Sequence, residues 1–156
     1  MTDPANALQS FQQFILTGKI RLEPGRLDKN LNSYVDEVDG TTRFTLVRLE
    51  GKTVTAFVVF ARDGTIEGKP CFAIGYAVPE AYRNQGRAKE IIKAAIAEMQ
   101  GAFRRLYPEF FVVAIVGADN KPSQRVAEQV ISDTRVAVTD QVSGLPAFQY
   151  LRRIER

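Results

Sequence analysis

Hydrophobic and polar positions alternate along this chain with two periods, and the changes between them predict its elements. Between Ala5 and Leu16, Leu8, Phe11 and Ile15 recur at helical spacing. Asp3 before Pro4 suits an N-cap followed by a first-turn proline, and Gly18 suits the stop. Lys19 to Asn32 keeps neither period; Pro24 and Gly25 break it, with a short helix predicted after Gly25. From Arg43 to Glu50 the period falls to two. Phe44 and Leu46 share one face, Thr45, Val47 and Leu49 the other. Glu50-Gly51 predicts a hairpin turn and Thr53 to Ala61 the returning strand, rich in Val, Phe and Thr. Asp63-Gly64 and Gly68 predict a loop, and Cys71 to Val78 a third strand ended by Pro79.

The helical period returns from Gly86 to Met99, closed by Gly101. Ile91, Ile92, Ala95, Ile96 and Met99 form the apolar stripe, with Lys89, Glu90, Lys93 and Glu98 turned to water. Phe110 to Val116 is continuously apolar, short and branched, which predicts a strand buried on both faces. Pro122 to Ile131 predicts another helix, and Arg135 to Thr139 and Ala147 to Arg153 two closing strands. Strand, helix, strand from Cys71 to Val116 implies a parallel crossover inside a mixed α/β sheet. No repeat, low-complexity tract or linker divides the chain, so one domain over residues 1–156 is expected.

Composition narrows the chemistry. Histidine is absent, which excludes a Ser-His-Asp triad, a Cys-His pair and histidine-ligated zinc. No metal site is expected, and any acid or base must be Asp, Glu, Tyr, Lys, Cys or water held by them. Cys71 is the single cysteine, so no intrachain disulfide forms and a reducing cytoplasm is the expected location. No apolar run is long enough to span a bilayer. The net charge of +3 fits a soluble protein, and no Lys/Arg block suggests a nucleic-acid stripe.

The junction Tyr82-Arg83-Asn84-Gln85-Gly86-Arg87-Ala88 stands apart. A helix N-terminus carries unpaired N–H groups and partial positive charge, which suits an anion. Gly86 lets an anion approach the backbone, Ala88 is small, and Arg83 and Arg87 add cationic donors. Neither G-x-G-x-x-G nor a Walker A pattern is present. Taken alone, this short pattern also fits an ordinary strand-to-helix turn with solvated arginines.

With its surroundings, the junction resembles the GNAT superfamily of acetyl-CoA-dependent N-acetyltransferases. The family pattern [Q/R]-x-x-G-x-[G/A] stands here as Arg83-Asn84-Gln85-Gly86-Arg87-Ala88. A later buried strand and N-x-x-[S/A] stand as FFVVAIVGADNKPS, with Asn120 and Ser123. The resemblance implies a mostly antiparallel sheet with one splayed parallel pair, flanked by helices. It implies direct transfer of an acetyl group from acetyl-CoA to a primary amine. Backbone amides from Asn84 to Ala88 would then bind the CoA pyrophosphate. Ala77 and Val78 would meet the pantetheine arm as a strand-like partner, with Asn120 opposite, Ser123 nearby, and Lys89 either reaching a phosphate or solvated. Family members often dimerise, so a homodimer is a further expectation.

The chain also departs from the pattern. Ala127 stands where many members carry the tyrosine that protonates the departing thiolate. CFAIGYAV lacks the usual strand base. The family's first strand normally precedes its first helix, but few residues precede Ala5; either that strand is lost or Ala5 to Leu16 is not that helix. Tyr150 is either a candidate replacement acid or an amphipathic tyrosine at the core edge. Glu80, Asp36, Glu37 and Asp39 are candidate proton acceptors through water; the acidic group of Asp36, Glu37 and Asp39 equally fits attraction of a cationic amine or a solvated strand edge. Tyr76 is expected to pack with Phe72 and Ile74, Tyr82 to anchor its loop, and Cys71 to fill core. A second reading is an acyl-CoA-binding sensor without catalysis. The acceptor stays open, and the segment from Lys19 to Gly40 is expected to decide it.

Overall fold

The computed structural model describes residues 3–155. Eight strands form one sheet in the order β1-β2-β3-β4-β5-β6-β8-β7. The strands are β1 (Glu23–Pro24), β2 (Asn32–Val38), β3 (Thr41–Glu50), β4 (Thr53–Ile66), β5 (Lys69–Ala77), β6 (Phe110–Gly117), β7 (Arg135–Thr139) and β8 (Pro146–Ile154). The helices are α1 (Pro4–Leu16), α2 (Arg87–Phe103) and α3 (Lys121–Val130). Every neighbouring pair is antiparallel except β5 with β6. The mixed α/β architecture is the expected one.

Helices cover the two faces unequally. The stripe of α2 (Ile91, Ile92, Ala95, Ile96, Met99) packs with Ala127 and Val130 of α3 in one cluster. Leu46, Val58, Phe60, Ile74, Val112 and Ala114 of the sheet complete it. On the other face, Leu8 and Phe11 of α1 meet Val47, Val54, Phe57 and Val59. Each Val, Leu, Ile, Phe or Met side chain so buried contributes roughly 1.5–3 kcal/mol. The Asp3 carboxylate caps α1 at the Ala5 N–H, 3.0 Å away, as the Asp-Pro pair predicted.

Several expectations are corrected. No helix follows Gly25; residues 26–31 turn instead. The N–H groups of Arg26 and Leu27 donate to the Glu98 carboxylate, so Glu98 holds this turn rather than facing water. Glu90 is exposed, as expected, and pairs with Arg48 at 2.6 Å. The predicted loop at Asp63-Gly64 is a bulge: β4 shifts register between Arg62 and Thr65 and continues to pair through Ile66 with Lys69. Helix α2 runs past Gly101 to Phe103. The Phe103 ring stacks on Phe72 at 5.5 Å and meets Phe44 and Phe110 edge-on. That burial outweighs the roughly 1 kcal/mol cost of a helical glycine.

The largest omission is β2, which lies inside the segment read as a variable loop. It pairs with β3 through a tight turn at Asp39 and Gly40, both left-handed with φ 52° and 78°. No strand precedes α1 among the described residues. The sheet position beside β3 is filled by β2, which follows α1 in the chain. The helix prediction therefore stands.

Candidate active site

The site starts from a gap in the sheet. β5 and β6 pair only at Cys71–Phe111, Phe72–Val112 and Ala73–Val113. Beyond that point β5 stays paired with β4 as far as Ala77, and β6 with β8 as far as Gly117. The facing edges of Ile74–Ala77 and Ala114–Gly117 are left without a strand partner. A cleft of about 1440 Å³ occupies the gap. Unpaired strand edges carry backbone donors and acceptors ready for an extended ligand.

At one end of the cleft, the β5–α2 junction turns its backbone outward. Asn84 and Gly86 are both left-handed, with φ 61° and 71°. Among the described residues, no protein acceptor meets the N–H groups of Asn84 through Lys89. Among the described residues, apart from its chain neighbours, no atom lies within 4 Å of where a Gly86 Cβ would stand. The result is a row of free donors at a helix N-terminus, facing open space, with the chemistry of an oxyanion cradle.

The side chains around it are largely committed. Arg83 Nε donates to the Val78 carbonyl at 3.0 Å and ties the loop to the strand end. The Arg87 guanidinium lies 5.0 Å from the Tyr82 ring centre, donates to Gln85 Oε1 at 3.0 Å and stands 3.7 Å from Glu50. Tyr82 thus anchors the junction. Lys89 and Arg125 also line the cleft; the sequence reading left Lys89 open and missed Arg125.

Ala77, Val78, Arg83, Asn84, Gly86, Arg87, Ala88, Asn120 and Ser123 all line the cleft, so the structure brings nearly every predicted cofactor residue to one place. Gln85 lies outside the lining. Asn120 has a structural task as well: it is the N-cap of α3, its Oδ1 accepting the Ser123 N–H at 3.3 Å. Gln124, unremarked in the sequence, is buried and donates to the Gly117 and Ala118 carbonyls at 2.8 and 3.0 Å, fixing the β6–α3 turn.

The predicted catalytic groups are placed differently. Tyr150 is fully buried and does not line the cleft; its hydroxyl has no hydrogen-bond partner among the described residues. Its ring belongs to the core on the α2–α3 face. Glu80 is exposed on a short 3₁₀ turn outside the lining. Asp36 is paired with Arg43 at 2.6 Å on β2, and neither it nor Glu37 or Asp39 reaches the cleft. The carboxylates that line it are Asp3, Asp63, Asp119 and Asp140. Cys71 is buried, and burial pushes its thiol up to about 11, with the Asp63 charge adding to the shift. A thiol so held stays protonated, which fits a core residue and not an acyl carrier.

Tyr76 was expected to pack, and its ring does. Its hydroxyl adds a contact the sequence did not show, donating to the Ser123 carbonyl at 2.7 Å. It lines the cleft. Burial raises its pKa, and Tyr150 adds to the rise.

A family model described as acetyltransferase (GNAT) family matches residues 11–131. Solved structures share the fold. An acetyltransferase of the GNAT family from Streptococcus pneumoniae is 13% identical over 72% of this chain and 66% of that one, with a TM-score of 0.52. RimL, a ribosomal L7/L12 alpha-N-protein acetyltransferase, is 18% identical over 72% and 61%, with a TM-score of 0.53. The Salmonella typhimurium protein yncA, solved with acetyl-CoA, is 17% identical over 72% and 64%, with a TM-score of 0.51. This chain spans less than two thirds of each of those chains. No curated protein sequence matches it.

Proposed function

The chain belongs to the GNAT acetyltransferase family, and we propose that it transfers the acetyl group of acetyl-CoA to a primary amine by direct attack. The observation that carries this reading is the row of unpartnered N–H groups from Asn84 to Lys89, set at the end of a gap between two parallel strands. A pyrophosphate matches the first and an extended pantetheine arm the second. The acetyl-CoA bound to yncA supports the same ligand here.

In this reading the amides of Asn84 to Ala88 hold the pyrophosphate. The free edge of β5 at Ala77 and Val78 pairs with the pantetheine, Asn120 and Ser123 flank it, and Lys89 and Arg125 add positive charge. The thioester carbonyl is then fixed where the strands part, and an amine entering the cleft attacks it. Holding both reactants replaces a bimolecular encounter and supplies much of the rate. Asp3 and Asp63 line the same cleft and favour a cationic amine on approach.

One observation favours the second reading, an acyl-CoA-binding domain without turnover: Ala127 is fully buried and offers no proton. Two measurements separate the readings. Thermal unfolding with acetyl-CoA, CoA and ATP tests the ligand, since a ligand at 100 times its Kd stabilises by about 2.7 kcal/mol. Release of free CoA thiol in the presence of a panel of amines tests catalysis. A midpoint raised by acetyl-CoA with no thiol released by any amine supports the sensor; no rise with acetyl-CoA or CoA removes both readings.

A further inference from the structure

The cleft passes through the sheet, and its two mouths differ in charge. Side chains alternate along β5 and β6. Ile74, Tyr76 and Val116 therefore face α2 and α3, while Ala73, Val113 and Ile115 face the side that carries α1. All six line the cleft. Among the described lining residues the cations are Arg83, Arg87, Lys89 and Arg125, and each stands on the β5–α2 junction, in α2 or in α3. The α1 side has no cation. It has Asp3 at the start of α1 and Asp63 on the β4 bulge.

Of these carboxylates Asp63 is the uncommitted one. Asp3 accepts from the Ala5 N–H, and Asp140, in the β7–β8 turn, accepts from Val142 and Ser143. Asp119 belongs to the turn into α3. Asp63 is exposed, and its carboxylate has no hydrogen bond or ion pair among the described residues. Its neighbour Arg62 is turned to the other face, with its guanidinium 5.9 and 5.8 Å from the centres of the Phe72 and Tyr107 rings.

The floor of this mouth is apolar. Val113 is buried beside Phe111 and Cys71, and Ile115, two residues along β6, is 41% exposed. Helix α1 packs on β3, β4 and β5, and α2 and α3 lie on the opposite face, so Ile115 stays open to solvent. Its partner across the strand pair is the uncharged Gln149. An apolar floor with one free charge at its edge is the composition of a small-molecule site, where the charge orients and the floor holds.

We propose that this mouth admits the acceptor, and that the acceptor is an amine borne on an uncharged apolar body, its ammonium received by Asp63 and its body by Val113 and Ile115. The inference rests on the function proposed above. An α-amino acid would bring a carboxylate towards Asp63 with no cation to hold it. A diamine would bring a second ammonium over Val113 and Ile115, where nothing replaces its water. An alkyl or arylalkyl amine brings neither. In the transfer the ammonium first gives one proton to water. The nitrogen then bonds to the carbonyl carbon, the C–S bond breaks with its electron pair on sulfur, and a second nitrogen proton reaches that sulfur through water. Ammonium and acetyl-CoA become amide, CoA thiol and one released proton.

The test compares phenethylamine with phenylalanine, the same skeleton carrying a carboxylate, and with diaminobutane. Each is titrated calorimetrically into protein saturated with CoA, so that binding is read without turnover. Phenethylamine binds at least about tenfold tighter than either of the others, and Asp63→Asn weakens it about tenfold while CoA affinity holds. Ile115→Arg, at an exposed position, tests the floor separately: phenethylamine loses affinity and phenylalanine gains it, because its carboxylate then finds a cation. Equal or tighter binding of phenylalanine or diaminobutane, binding of none of the probes, or wild-type affinity for phenethylamine in Asp63→Asn overturns the inference and leaves the acetyltransferase reading standing. Failure of CoA and acetyl-CoA to raise the unfolding midpoint removes that reading, and this inference with it.

Discussion

Gly86 allows the anion cradle to be tested against the alternative of a simple turn. Its φ of 71° is left-handed, and a Cβ built there meets no atom within 4 Å. Two substitutions separate backbone from charge. Gly86→Ala and Gly86→Glu both carry the strain of a side chain at positive φ, about 1 kcal/mol. For a chain of this length that lowers Tm by about 2–4 °C in each. Alanine adds only a methyl group to empty space, so acetyl-CoA affinity changes little. Glutamate brings a negative charge to the place proposed for phosphate. At roughly 5 Å and an effective dielectric between 20 and 80, each phosphate charge is repelled by about 0.8–3.3 kcal/mol. Two such charges give a loss of at least tenfold in affinity. Calorimetric titration with acetyl-CoA measures it. Raising the salt weakens the repulsion, because the screening length is about 10 Å at 0.1 M. Equal affinities for the wild type and Gly86→Glu refute the cradle. Equal losses in both variants refute it too, since the effect then belongs to backbone shape and not to charge.

Three further outcomes follow from the same structure. Tyr150→Phe deletes the unpartnered buried hydroxyl and raises stability by about 1 kcal/mol in urea unfolding; a loss of stability means the hydroxyl has a partner in solution, and the account of its burial fails. Asp28 accepts a hydrogen bond from Arg48 at 2.7 Å, which holds its carboxyl below the ordinary value of 3.8 despite some burial. A depressed folded pKa contributes stability above the unfolded value and loses it as pH falls through the folded one. Arg48→Met therefore flattens the acid limb of a stability–pH curve below about pH 4, and parallel limbs refute the pairing. Cys71, buried with its thiol pushed up to about 11, reacts with Ellman's reagent at pH 8 only when the protein unfolds; rapid native labelling contradicts its burial.

The parts of this fold that were legible in the sequence are those whose signal is local. Ile91 to Met99 repeats at 3.6 residues, Phe110 to Val116 is too short and too branched for a helix, and Asp3-Pro4 announces α1. The structure places each where the pattern did. Strand β2 was missed because it runs near the sheet edge: Val35 and Val38 are exposed, acidic residues interrupt the alternation, and packing writes little into such a strand. Asp39-Gly40 was the usable signal, a favoured hairpin pair followed by a recognised strand. Glu98 was misread for a related reason. Its helical position says solvent, and only the turn at Arg26 and Leu27, more than seventy positions earlier, supplies the donors that it holds.

The cleft divides along the same line. Its anion end is built from consecutive residues, so a hexapeptide from Arg83 to Ala88 could disclose it. The rest of its wall is assembled from β5, α3, β8 and the start of α1, and no spacing along the chain records which side chains meet there. Tyr150, proposed from its place on the last strand, points into the core because Phe148, Tyr150 and Arg152 alternate onto the α2–α3 face. Ala114, its partner on β6, is small enough to admit the ring. Tyr76 was read as packing from the alternation of Phe72, Ile74 and Tyr76, and that alternation is real. What alternation does not encode is the end of the side chain. A phenol that packs like phenylalanine along its ring also delivers a hydroxyl to the Ser123 carbonyl, 47 residues away. That bond ties β5 to the first turn of α3, and only the fold, not the spacing of the two residues along the chain, brings them together.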